Sequence, residues 1–293
     1  MRRLLFIPVT VLMFIASIYG QQPKIKLGVL DFGTSSQGKV VAETIRTGFR
    51  SKGTVQLVDR DQGSAAARGV GYAGSLNMSV SDAKDLGSAI DSEFFIIGDA
   101  QTLRRSSSTR PIYYESYSST LVISSRTGRL VLWDRLAAEA DTAKDAEEKF
   151  NKTLSDSHAI DRYLEAINKA RLEEMNQRFT AVDKSAPLIE DAPEDEKIAE
   201  TQGLRLPRPY RRLRPTYPES AAKADAEGTV DVLVDVGADG EVQLIQIARW
   251  AGFGLDETTV ATVRQLHFFP AMRNGTPVPL RVLLRYNFRK PSQ

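Results

Sequence analysis

Four valines at every second position, Val230, Val232, Val234 and Val236, with Asp231 and Asp235 between them, constrain this chain more than any other stretch. Period-two alternation of this kind is a strand with one buried and one wet face. Ala238-Asp239-Gly240 follows. An Asp-Gly between two alternating runs predicts a hairpin whose two turn positions take positive φ. The partner strand runs from Glu241 to Ala248, and its apolar phase shifts where Leu244 adjoins Ile245, which predicts a bulge between them.

A short helix comes next. Asp256 is its expected N-cap, Leu255 and Val260 close a hydrophobic staple, and Val263 extends the buried stripe. It should end near Leu266, because Pro270 cannot continue it and Asn274-Gly275 marks a turn. The last strand alternates Leu280, Val282, Leu284, Tyr286 and Phe288 inward with Arg281, Arg285 and Asn287 outward. Pro279 at its start suits an edge strand. A right-handed crossover back to the same sheet puts the first strand in the middle and the last at an edge. The unit is a small ββαβ domain.

The ordered set Tyr217-Pro218, Glu227-Gly228-Thr229-Val230, Asp239-Gly240, Gly252, Leu255-Asp256, Phe268, Pro270-Ala271 and Gly275-x-Pro277-Val278 resembles the TonB C-terminal domain family. Two positions depart from it: Leu266-His267 stands where the family usually carries Trp before Phe-x-Pro, and Arg214 where its energy transducer carries Gln before Pro. The resemblance implies a protein that meets outer-membrane partners by letting a peptide segment add beside the sheet. It implies partner-binding residues in two groups, Arg214, Pro215, Tyr217 and Pro218, and the edge strand Leu280, Arg281, Val282, Leu283, Leu284, Arg285 and Tyr286. Arg281 and Arg285 would tune the partner's charge. The implied partners are an outer-membrane receptor or transporter or another envelope protein, and inner-membrane motor proteins if the chain is anchored.

The amino terminus sets the compartment. Met1-Arg2-Arg3 and the apolar run Leu4 to Tyr19, interrupted by Pro8, read as a signal peptide over 1–20. The run is slightly short for a membrane span of ~20 residues. Cleavage after Gly20 places Ile18 where a small residue is preferred, so a retained signal anchor stays open. Either way the remainder is exported, and the resemblance points to a periplasm. The chain has no cysteine, which removes disulfides, thiol catalysis and a lipoprotein anchor. A net charge of +2 gives no general case for nucleic acid.

Residues 24–179 read as a mixed α/β domain. Ile25 to Phe32 is a buried strand, Val41, Ile45 and Phe49 stripe the following helix, and Val55 to Asp59 is a second strand. Ser79 caps a helix through Ile90, Glu93 to Gly98 is a third strand, and Tyr113–Ser124 and Leu130–Leu136 flank a hairpin turn at Arg126-Thr127-Gly128-Arg129. Gly28-Val29-Leu30-Asp31-Phe32, Val58-Asp59-Arg60, Leu86-Gly87, Phe95-Ile96-Ile97-Gly98 and Thr127-Gly128 resemble the periplasmic family that includes CsgG, LpoB and the amino-terminal domain of TolB. That resemblance implies binding or assembly without a shared catalytic set. Ala143 to Phe179 is helical, and 180–213 is a charged linker in which Arg205, Arg208, Arg211 and Arg212, with Arg214 just beyond its end, follow an acidic stretch. The carboxyl-terminal domain then occupies 214–290, and the fold class is α+β.

No motif carries catalysis. Gly69-x-Gly71-x-x-Gly74 matches the dinucleotide fingerprint but lies well past the strand ending at Asp59, and reads as a flexible loop. The only histidines are His158 and His267, and His267 is expected to be partly buried where helix meets strand. Zinc lacks ligands, Asp235 and Asp239 do not complete a calcium loop, and the serine runs have no readable histidine-carboxylate pairing. The expectation is a protein with no enzymatic activity and no cofactor, a periplasmic TonB-family protein supporting transmembrane transport. The alternative is an envelope scaffold acting through the amino-terminal domain.

Overall fold

The computed structural model describes residues 24–180 and 189–290, so the signal or anchor segment lies outside the described residues. Among them no helix is long and apolar enough to cross a membrane. The amino-terminal unit runs β1 (Ile25–Val29), α1 (Ser36–Lys52), β2 (Val55–Leu57), α2 (Arg60–Gly69), β3 (Met78–Ser79), α3 (Val80–Ile90), β4 (Phe94–Arg105), β5 (Tyr113–Ser124), β6 (Leu130–Ala140), α4 (Ala143–Asp156) and α5 (Ala159–Thr180). Its sheet has the order β2-β1-β4-β5-β6, parallel on the β1 side and antiparallel from β4 onward.

Alternation along β4 explains the layering. Phe94 and Ile96 pack with Val41, Ile45 and Phe49 of α1 and with Phe150 and Tyr163 of α4 and α5. Phe95 and Ile97 face the other way, onto Ala83, Leu86 and Ile90 of α3. Ser79 caps α3 in a full capping box with Asp82, and Gly128 takes φ 67 in the β5–β6 hairpin, both as the sequence indicates. The Gly69–Gly74 stretch differs from a plain loop, because Gly69 closes α2, whose N-cap Asp59 accepts from the Asp61 and Gln62 N–H groups.

The carboxyl-terminal part runs α6 (Glu196–Thr201), β7 (Leu204–Arg205), β8 (Arg208–Pro209), α7 (Glu219–Ala224), β9 (Gly228–Val236), β10 (Val242–Trp250), α8 (Leu255–Val263), β11 (Phe268–Phe269), β12 (Ala271–Arg273), β13 (Thr276–Val278) and β14 (Leu280–Phe288). Its main sheet has the order β14-β9-β10-β3. The valine strand is central and the last strand is at an edge, as the sequence predicts. The four valines are fully buried, against Leu255 and Val263 of α8 and against Phe268 and Phe288. The segment read as a linker is partly built into this unit. β7 pairs β12, β8 pairs β11, and Ala199 of α6 packs with Leu204, Ala271 and Leu280.

Four local expectations need correction. The hairpin after β9 has positive φ at Gly240 only, where a Cβ would stand 2.0 Å from the Phe268 carbonyl oxygen, and the Asp239 carboxylate instead accepts the Glu241 N–H. Bulges fall at Gln243 and Ala248, where the register skips, and not between Leu244 and Ile245. The first bulge produces the phase shift seen in the sequence, one residue early. The N-cap of α8 is Gly254 at φ 81, while Asp256 is buried inside the helix and accepts from the Ala251 and Gly252 N–H groups at 2.9 and 2.7 Å. His267 is exposed and pairs with Glu241, since its neighbours Leu266 and Phe268 take the inward positions.

The sheet order also shows that the two units are joined through it. β3 belongs to the amino-terminal unit, yet Ser79 and Met78 pair with Arg249 and Trp250 of β10. The Asn77 side chain donates to the Thr229 and Trp250 carbonyls (2.8 and 2.7 Å) and accepts from the Thr229 N–H (3.0 Å). Trp250 is buried in the amino-terminal core and donates its indole N–H to the Gly128 carbonyl at 3.0 Å.

Candidate functional site

β14 is the outermost strand, and its main-chain groups divide into two sets. The Arg281 N–H donates to the Glu190 carbonyl (2.8 Å) and the Arg281 carbonyl accepts from the Ala192 N–H (2.7 Å), so the main chain of Arg281 points away from β9. Direction alternates along an antiparallel strand, so Leu283, Arg285 and Asn287 point outward as well. Among the described residues these three have no main-chain hydrogen bond on that side. The border is thus covered by the protein's own chain at Arg281 and open beyond it. The cover ends after Ala192, and Asp195 then caps α6.

This pattern sorts the residues singled out in the sequence. Leu280 is buried between α6 and β12, and Arg281 is occupied by Glu190 and Ala192. Val282, Leu284 and Tyr286 pair toward β9 and pack inward. Leu283 and Arg285 keep open main-chain groups, and Asn287, which sequence reasoning left out, is the third open position. Its signal was the same alternation carried one step further. Tyr217 sits in the core, with its hydroxyl donating to the Ala226 carbonyl at 2.7 Å, and Pro218 is the N-cap of α7. Arg214 is exposed and Pro215 half-buried. Among the described residues no hydrogen bond or ion pair joins 214–218 to Leu283, Arg285 or Asn287.

The two arginines of β14 are not free charges. Arg281 holds Asp235 through two bonds of 2.5 and 2.9 Å, and Arg285 holds Asp231 through two of 2.7 and 2.9 Å. Both aspartates are buried beneath them, and Arg249 approaches Asp231 from β10 at 3.5 Å. These bonds hold the guanidinium pKa values above their ordinary range. Bidentate pairing of this kind fixes geometry as well as charge. Between the two pairs, Leu283 stands 52% exposed opposite Leu233, so the face a visiting strand would extend is apolar at its centre.

The chain is a two-unit α+β protein whose smaller sheet ends in a strand that is open along part of its border. The smaller unit is a TonB C-terminal domain: residues 214–289 match the family described as Gram-negative bacterial TonB protein C-terminal. Protein TonB of Klebsiella aerogenes is 35% identical over 81 residues, which are 28% of this chain and 33% of that protein. The chain thus spans a third of the length of that relative. The solution structure of the Pseudomonas aeruginosa TonB CTD is similar at 24% identity, over 30% of this chain and 89% of that one, with a TM-score of 0.26. The LpoB C-terminal domain from Salmonella enterica is similar at 17% identity, over 41% and 86%, with a TM-score of 0.29.

Proposed function

We propose that this chain is an exported, non-enzymatic TonB-like protein that docks an extended segment of an outer-membrane transporter or other envelope partner along β14, in support of transport across the envelope. The observation that carries the reading is the row of open main-chain groups at Leu283, Arg285 and Asn287. Strand addition draws affinity from such groups and specificity from alternate side chains. Here the specificity element is the Leu283–Leu233 patch between the paired arginines.

The test is Leu283→Pro. Because the Leu283 N–H points outward, proline removes a docking donor without removing a rung shared with β9, whereas Leu284→Pro would break the fold's own ladder. Binding of a synthetic extended segment from a transporter's periplasmic end, measured by calorimetry, should weaken at least tenfold. Unchanged affinity with an unchanged circular dichroism spectrum would refute the docking reading. Mass spectrometry of the amino terminus after membrane fractionation separates two forms of it: an intact Met1 end in the inner membrane fits a transducer, and a mature end near Gln21 in the soluble fraction fits an adaptor.

A further inference from the structure

A second open border faces a cleft between the two units. In β9 the even-numbered valines pair toward β14, so Asp235, Leu233 and Asp231 pair toward Leu244, Gln246 and Arg249 of β10. Ile245 and Ile247 therefore turn their main-chain groups away from β9. β3 covers this side of β10 only at Arg249 and Trp250, because the chain turns into α3 at Val80. Across the cleft lies β6, the edge of the amino-terminal sheet. The Ser124 N–H donates to the Arg129 carbonyl, which sets Leu132 and Asp134 toward β5 and leaves the main chain of Trp133 facing out. Among the described residues no hydrogen bond reaches the main chain of Ile245, Ile247 or Trp133 on these sides.

Both borders line one cavity of about 870 Å³. Its lining includes Trp250, whose indole donates to the Gly128 carbonyl, and Trp133, which meets the Phe253 ring at 5.9 Å and donates to the Glu257 carboxylate at 3.2 Å. The charged side chains lining it are Lys84, Arg129 and Arg264 against Asp256 and Glu257. Asp256 is buried on the Ala251 and Gly252 N–H groups and Glu257 is engaged by Trp133, whereas the three cations are exposed and form no ion pair among the described residues.

We infer that this cleft is a docking site for an acidic, extended peptide, which pairs with β10 at Ile245 and Ile247 and sets its carboxylates against Lys84, Arg129 and Arg264. The inference is independent of docking at β14. A strand that continues the row begun by β3 satisfies the open groups of β10. Apolar alternate residues meet Trp133, Ile247 and Leu130, and the carboxylates answer an unbalanced cationic rim.

The chain's two tryptophans both line the cleft, so intrinsic fluorescence reports its occupancy directly. The probes are three capped peptides of equal length: alternating Val and Glu, alternating Val and Lys, and the Val–Glu peptide with two central prolines. The Val–Glu peptide should change the emission saturably. The Val–Lys and proline-interrupted peptides should bind at least tenfold more weakly. Lys84→Glu combined with Arg129→Glu, both on exposed positions, should weaken the Val–Glu peptide tenfold or more, while Leu283→Pro leaves it unchanged. Equal binding of the acidic and basic peptides, tolerance of the prolines, no change in emission, or loss of the response with Leu283→Pro would each overturn the assignment. So would a concentration-dependent dimer, seen by sedimentation, that occludes the tryptophans.

Discussion

Asn77→Ala tests whether the two units form one cooperative body. The Asn77 side chain makes three hydrogen bonds of 2.7–3.0 Å to β9 and β10, across 152 and 173 residues of sequence. At a net ~0.5–1.5 kcal/mol each, their loss amounts to about 2–4 kcal/mol, the lower part applying where water reaches the half-buried site. Beyond this, the units are joined by the β3 pairing, by Trp250 in the amino-terminal core, and by the Arg105–Asp225 pair at 2.8 Å. The assay is urea unfolding followed at once by tryptophan emission and by far-ultraviolet circular dichroism. In the parent protein the two transitions should coincide. In Asn77→Ala the emission transition should move to lower urea, because Trp133 and Trp250 both sit at the joint, while most of the dichroism is lost later. Asn77→Asp should be no better, since a carboxylate accepts from the Thr229 N–H but repels the two carbonyls that Asn77 now donates to. Identical midpoints for parent and Asn77→Ala by both probes would show that the joint does not depend on this side chain.

Two further outcomes follow from buried groups and backbone strain. Burial pushes the Asp256 carboxyl up to about 6, against the opposing pull of the Ala251 and Gly252 N–H groups. A folded pKa above the unfolded value of 3.8 means that its stabilising contribution is full below that value and is lost as pH rises through about 6. The shift corresponds to roughly 3 kcal/mol. Unfolding free energies between pH 4 and 8 should fall over that window and fall less in Asp256→Asn; parallel curves would remove Asp256 as the cause. Gly128→Ala should cost at least ~2 kcal/mol, because φ is +67 and the added Cβ would lie 2.1 Å from the Val80 carbonyl oxygen. Gly53→Ala, at φ +65 with open space around it, should cost only about 1 kcal/mol. Equal thermal shifts for the two variants would count against the steric account.

What the sequence disclosed is what neighbouring residues decide. Alternation in β9 and β14, the Asp239-Gly240 turn and the Ser79 cap are local signals, and each places its element correctly. The errors lie where distant residues compete for the same groups. Asp256 looked like a cap until the Ala251 and Gly252 amides, turned toward it by glycines on either side of Phe253, claimed its carboxylate. His267 looked partly buried, but Leu266 and Phe268 fill the inward positions. Arg281 and Arg285 looked like free charges because nothing in their own strand shows that Asp235 and Asp231 stand directly opposite. The part of 189–213 that pairs with β11 and β12 has two-residue strands, too short for any periodicity to show. β3 was invisible for the same reason, and with it the joint between the units.

The two open borders share one construction, and that bears on what they can accept. On β10 the chain lays down β3 and then leaves it through a helix capped by Ser79; on β14 it lays down Glu190–Ala192 and leaves through a helix capped by Asp195. In each case a short piece of the protein's own backbone occupies one end of an edge that would otherwise be long, flat and free to pair with another copy. The remaining opening is short: three outward positions on β14 and two on β10. A visiting strand therefore gains only a handful of main-chain hydrogen bonds, at ~0.5–1.5 kcal/mol net each, and must draw the rest of its affinity from side chains. Those side-chain surroundings differ. β14 offers Leu283 and Leu233 between neutralised arginines, and the cleft at β10 is lined by two tryptophans and by three cations that form no ion pair among the described residues. Edges alike in backbone should thus select different peptides, an apolar one at β14 and an acidic one in the cleft.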